Sequence, residues 1–303
     1  MKSKEMALKN ALAVVAMSLG VSIGLSGCSK TTDAPTPSAG DKMSSALKDS
    51  LVSQGMEPAA ATTVATKAAA ASNAASTTTS GDKTVIHVDK TAQILGFISV
   101  KQSYDDTHPN YAVYSEFLRG ALAALRDSKG TAADVDKVMK ANYVALKGNI
   151  ASGMNTTAEK KELFARIARG GIKGAIFAFD SAADVKSAIG SVATKSVSLI
   201  NTSGMSTTDL KELIPAVSAG ALAGLTEQRT LIPVTLKLND ALGTVQKNAV
   251  AAIGTAGFTN VTDLKDIVTG VAKLSAQSVR TGLSASVDLR LTAMAAVSEN
   301  AMA

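Results

Sequence analysis

Chemistry, if the chain performs any, has few side chains to work with. The segment SYDDTHPNY, residues 103–111, gathers Asp105, Asp106 and His108 between Tyr104 and Tyr111. Two carboxylates and an imidazole so close together are the residue types that bind a metal ion or pass a proton. Asp, Asn, Pro and Thr are equally what a surface turn ahead of a helix uses, and a turn is the favoured expectation here. His87, in TVIHV, is expected to be a packed or half-exposed histidine rather than a ligand. One Cys and two His in 303 residues exclude an internal disulfide and all but exclude a zinc site of the Cys/His kind. ARGGIKGA, residues 168–175, lacks the spacing and the Lys-Ser/Thr pair of a phosphate loop. No catalytic residue, metal ligand or cofactor is therefore assigned, and the chain is expected not to be an enzyme.

The single Cys has a different setting. Lys2, Lys4 and Lys9 precede an apolar run from Ala11 to Leu25, a charged region leading into a hydrophobic one, as in an export signal. The run is shorter than the roughly 20 apolar residues that a membrane-spanning helix needs. It stops at Leu25, Ser26, Gly27 and Cys28.

Leu25-Ser26-Gly27-Cys28 resembles the lipobox of bacterial lipoproteins, and the match is confined to residues 1–28. The resemblance implies that Leu25, Ser26 and Gly27 are recognised by the signal peptidase, which cuts before Cys28. It implies further that Cys28 carries a diacylglycerol and an N-acyl chain such as palmitate, a covalent lipid rather than a cofactor. Ser29, not being Asp, implies sorting to the outer membrane if the host has one. Each buried methylene contributes about 0.8 kcal/mol, so two or three acyl chains make a lasting anchor. The expected location is the bacterial cell envelope, lipid-anchored at the outer membrane on its periplasmic or surface face.

Cleavage would remove three Lys and one Glu from a chain of net charge +6, leaving about +4. The basic residues are scattered and aromatics amount to 3%, which argues against nucleic acid as a partner. A weak attraction to anionic envelope surfaces fits better. SKTTDAPTPSAGD, residues 29–41, is polar and stiffened by Pro35 and Pro37, so 28–41 reads as a tether.

Beyond the tether, helical spacing dominates. Phe164, Ile167, Ala168, Gly171, Ile172, Ala175, Ile176 and Phe179 recur at one helix face, and Val185, Ala188, Ile189, Val192 and Leu199 at another. TVIHV at 84–88 and TLIPVTLKL at 230–238 alternate as strands do.

The helical segments repeat. SGMNTT at 152–157 returns as SGMSTT at 203–208. Gly153, Gly204 and Gly257 each follow an apolar stretch and precede Met154, Met205 and Phe258. This is the order of a left-handed helix end with an apolar residue folding back on it. Thr156 with Glu159, Ser206 with Asp209, and Asn260 with Asp263 then read as helix starts. Lys161-Glu162-Leu163, Lys211-Glu212-Leu213 and Lys265-Asp266-Ile267 keep the register, as do GALAAL at 120–125, GALAGL at 220–225, and AIGSV at 188–192 against ALGTV at 241–245. Gly170, Gly174, Gly220 and Gly224 inside helices call for close helix crossing, since Gly costs about 1 kcal/mol there. Pro215 predicts a kink or a late helix start.

The expectation is an all-α fold: tandem helical hairpins stacked as an irregular α-solenoid-like or bundle array over 42–303. Its units fall near 42–80, 88–130, 131–180, 181–233 and 234–285, with Gly153, Gly204 and Gly257 as structural corners. The expected function is a non-enzymatic structural or protein-interaction scaffold, held to membrane lipid by its acylated N-terminus and facing a protein partner or the cell wall. Open stack ends also allow head-to-tail self-assembly. The alternative is an envelope enzyme, or a small-ligand or metal-binding protein, using Asp105, Asp106 and His108.

Overall fold

A computed structural model describes residues 39–76, 112–147, 156–201, 205–254, 258 and 260–302. Ten α-helices account for nearly all of them: α1 Ala39–Ser53, α2 Pro58–Ser76, α3 Ala112–Ala123, α4 Ala132–Lys147, α5 Thr157–Ala178, α6 Ala182–Asn201, α7 Thr207–Glu227, α8 Leu238–Gly254, α9 Val261–Gly282 and α10 Val287–Met302. The fold is all-α.

The helices form two rows. In one, α2, α3, α5, α7 and α9 each pack on the next; in the other, α4, α6, α8 and α10 do so, with α1 beside α4. The rows press their apolar faces together, and no single helix pair could bury such a face alone. Phe164, Ile172, Ala175, Val185, Ala188, Ile189 and Val192 are all buried there, so the two helical stripes are core. Hairpins pack across short turns, α1 on α2, α5 on α6 and α9 on α10. The boundary expected near residue 180 thus runs between two helices that pack on each other.

Local chemistry sets the ends. Gly55 has φ +81°, the left-handed region where a Cβ is penalised. Met56 N–H donates to Leu51 C=O at 3.0 Å and its side chain is buried, the apolar fold-back of a Schellman end. Ser206 Oγ accepts from Asp209 N–H at 3.1 Å, Ser181 Oγ from Asp184 N–H at 3.0 Å, and Asn260 Oδ1 from Thr262 N–H at 2.8 Å. Each removes one of the unpaired donors at a helix start.

Recurrence at 50 to 54 residues carries each helix onto its neighbour in the same row. Leu163, Leu213 and Ile267 are all fully buried at matching positions. The cations beside them form rungs: Lys161 to Glu212 at 3.2 Å and Lys211 to Asp266 at 3.1 Å, with Lys211 also meeting Asp263. Helix crossings in this row are close. A Cβ on Gly174 would lie 2.6 Å from Arg119 O, and one on Gly224 2.5 Å from Arg169 O, while Gly170 and Gly220 press on the backbone of Ser115 and Ala165.

Two expectations are corrected. TLIPVTLKL is not a strand: Arg229–Leu231 is a 3-10 turn, Leu236 N–H donates to Pro233 C=O at 2.8 Å, and α8 opens at Leu238. Ile232 and Leu236 point inward while Val234 is 99% exposed, which imitates strand alternation on a chain that is turning. Helix α7 does not start late for Pro215. It begins at Thr207 with Pro215 buried inside it, and Gly270 of α9 leaves room for the ring, since a Cβ there would lie 2.8 Å from Pro215 Cγ.

Candidate binding groove

Among the described residues, an extended concave surface lies along the second row, where α4, α6, α8 and α10 meet. Gly190 and Gly243 shape it. A Cβ on Gly190 would stand 3.1 Å from Asn248 Nδ2, and one on Gly243 2.8 Å from Asn300 Nδ2. The same Gly-to-Asn contact therefore recurs between α6 and α8 and between α8 and α10. Each Asn donates Nδ2 to the carbonyl four residues back, Thr244 O and Ala296 O, both at 2.8 Å. That bond fixes the amide and turns its oxygen away from its own helix. Asn248 Oδ1 accepts from Thr194 Oγ1 at 3.3 Å.

Two adjoining hollows result. The first, about 300 Å³, is lined by Asp136, Lys186, Ser187, Gly190, Ser191, Thr194, Lys195 and Asn248. The second, about 540 Å³, is lined by Lys186, Asn239, Asp240, Gly243, Thr244, Lys247, Asn248, Ala296, Glu299 and Asn300. Lys186 and Asn248 belong to both, so the hollows form one groove. Its walls are hydroxyls, amides and charges with no aromatic ring. Asp136 Oδ2 takes Lys195 Nζ at 3.0 Å, and Asp136 Oδ1 is buried without a donor. Such a surface can hydrogen-bond a polar partner.

A smaller hollow of about 250 Å³ lies where the α1–α2 corner meets the α3–α4 corner. Lys137 Nζ there donates to Gly55 O at 3.2 Å and to Asp134 Oδ1 at 2.8 Å. Burial pushes the Asp134 carboxyl up, but hydrogen bonds from Lys137 and from the Thr131 N–H and hydroxyl outweigh it and hold it below its ordinary range. This joins corners rather than receiving a ligand. Between α5 and α7 in the first row Asp209 is also held low, chiefly by the Thr157 hydroxyl, with Ser206 and Lys160 assisting. Asp263 and Asp266 hold the Lys211 ammonium above its ordinary value.

Cys28, with Leu25, Ser26 and Gly27, lies outside the described residues, as do Asp105, Asp106, His108 and His87. So do the corner glycines Gly153, Gly204 and Gly257, although Met205 and Phe258 beside two of them pack partly buried against the core. Among the described residues, no three His, Cys, Asp or Glu stand close enough to hold a metal ion, and no helix is long and apolar enough to cross a membrane. The groove residues form no binding motif in the sequence. Their one signal there is the recurrence of Gly190 in AIGSV as Gly243 in ALGTV.

The fold and groove define a two-row helical array with a polar lateral surface. No protein-family model matches the chain, and no curated protein is similar to it.

Proposed function

We propose that the protein is a non-enzymatic interaction scaffold of the bacterial envelope, tethered to membrane lipid through an acylated Cys28 and presenting its helical array to a protein partner. The groove across α4, α6, α8 and α10 carries this reading. Four helices contribute to one continuous polar surface, and Lys186 and Lys247 on it make no ion pair among the described residues. A rigid face built from helices holds its donors and acceptors in fixed places, which is what recognition by a surface requires. The lipobox-like Leu25-Ser26-Gly27-Cys28 supports the tether.

The test is in cells. A photo-crosslinking residue at Ser187 should trap a protein, and Lys186→Glu with Lys247→Glu should abolish the trapped product. Cys28→Ser should move the chain out of the membrane fraction. A groove that traps nothing, or trapping indifferent to both charge reversals, would count against the scaffold, and membrane retention without Cys28 would count against the tether.

A further inference from the structure

We infer that the exposed face of α9 is a docking surface for a carboxylate-bearing helix of a partner protein. This deepens the scaffold reading and rests on it, at a surface separate from the groove.

The row itself supplies the precedent. Helix α5 offers cations to α7, with Lys161 on Glu212 at 3.2 Å, Arg169 on Glu227 at 3.0 Å and Lys173 on Glu227 at 2.9 Å. Helix α7 offers Lys211 to Asp266 and Asp263 of α9. The core fixes which positions correspond: Leu163, Leu213 and Ile267 are buried in register, and so are Ile167, Val217 and Val271. On that register Lys265 stands where Lys161 and Lys211 stand, and Lys273 where Arg169 stands.

Both are exposed, as is Arg280 on the same face, and none of the three has an ion pair among the described residues. Thr269 and Gln277 lie between them, and the stripe contains no carboxylate; Asp266, beside it, is turned to Lys211. The cations are eight and seven residues apart, about 12 Å and about 10 Å along the axis. A helix laid on α9 as α7 lies on α5 would bring one carboxylate to Lys265 and another to Lys273, as Glu212 meets Lys161 and Glu227 meets Arg169.

Among the described residues, a second copy stacked end to end does not fit. The opposite end of this row is α2, whose exposed described side chains are Pro58, Ala59, Thr62, Thr66, Lys67 and Ala70. None of these is a carboxylate. Glu57, just before α2, spends its carboxylate on the N–H groups of Ala59 and Ala60. Head-to-tail stacking would leave the α9 cations unmatched.

The probe is a synthetic peptide of residues 207–227, whose Glu212 and Glu227 already satisfy the cations of α5. Fluorescence anisotropy would follow its binding to the full chain carrying Cys28→Ser. Reversing Lys265, Lys273 and Arg280 to Glu should weaken binding by about tenfold, the sum of several surface pairs. Lys265→Arg with Lys273→Arg should preserve it, and Glu212→Gln with Glu227→Gln in the peptide should match the loss. Unchanged melting of the variants shows that they fold. No binding, or binding blind to the reversal, overturns the inference. So does a reversal-dependent loss of sedimentation with phosphatidylglycerol vesicles, which would assign the face to anionic membrane. If groove crosslinks persist while the peptide fails to bind, this inference falls and the scaffold stands.

Discussion

Alanine at position 224 puts two familiar effects in opposition. In an exposed helix, Gly→Ala stabilises by about 1 kcal/mol, because Gly loses more backbone freedom on folding. Gly224 is buried against α5, and an added Cβ would stand 2.5 Å from Arg169 O, where real Cβ atoms keep at least 3.0 Å. Two helix backbones must then separate by at least about half an ångström, and neither can yield like the tip of a flexible side chain. A gap of that size forfeits about a quarter of each dispersion contact across the crossing. Overpacking of this kind costs about 1–3 kcal/mol, so Gly224→Ala should be a net destabilisation of about 1–2 kcal/mol. Adding Gly220→Ala, which presses on Ala165, should deepen it. Gly254 is the control: nothing lies within 4 Å of its Cβ position, and Gly254→Ala should be neutral or mildly stabilising. Thermal melting followed by helical circular dichroism reads the difference, at about 2–4 °C per kcal/mol for a domain of this size. A Gly224→Ala protein as stable as Gly254→Ala would refute close crossing as the reason for these glycines.

Lys129 holds φ +54° in a Schellman end closed by Gly130 N–H to Leu125 O at 2.7 Å, so Lys129→Gly should raise stability by up to about 1 kcal/mol in the same melt. Ser206→Ala removes the acceptor for Asp209 N–H and should lower stability by about 1 kcal/mol. Asp134 and Asp209 are held below the ordinary carboxylate range. Their contribution is therefore present above the unfolded value of about 3.9 and lost as pH falls through the lower folded values. Melting temperature should fall below about pH 4, and the fall should be shallower in Asp209→Asn.

The core was legible because its signal is periodic within one helix. Phe164 to Ile176 and Val185 to Val192 are spaced as a buried face must be, whatever they pack against. Corner chemistry is similarly local, and the Gly55–Met56 end has the form expected of a Gly followed by an apolar residue. The strand expectation at 230–238 failed because Ile232 and Leu236 alternate with exposed Val234 while Pro233 turns the chain. Of the two outcomes expected at Pro215, the late start failed: α7 opens at Thr207 behind the Ser206 cap, and the ring packs on Gly270, 55 residues away. The groove was hidden by the same distance. Gly190 and Asn248 acquire meaning only once α6 and α8 lie side by side, and neither is an unusual residue where it stands.

That distance also explains why the repeated residues are so ordinary. A period of 50 to 54 residues maps a helix onto its row neighbour, so a side chain at a repeated position meets not its own copy but the copy of the position beside it. A Lys followed by an acid therefore suffices to join any number of helices: Lys161 finds Glu212, and Lys211 finds Asp266. Each surface rung contributes little alone, but it opposes any slip in register, because a shifted Lys would face another Lys. Buried Leu163, Leu213 and Ile267 supply the attraction, and the cations select the alignment. Such a zipper cannot satisfy its last member. Lys265 is left facing outward by the rule that pairs Lys161 and Lys211, so the unmatched charge on α9 is a direct consequence of how the row is built.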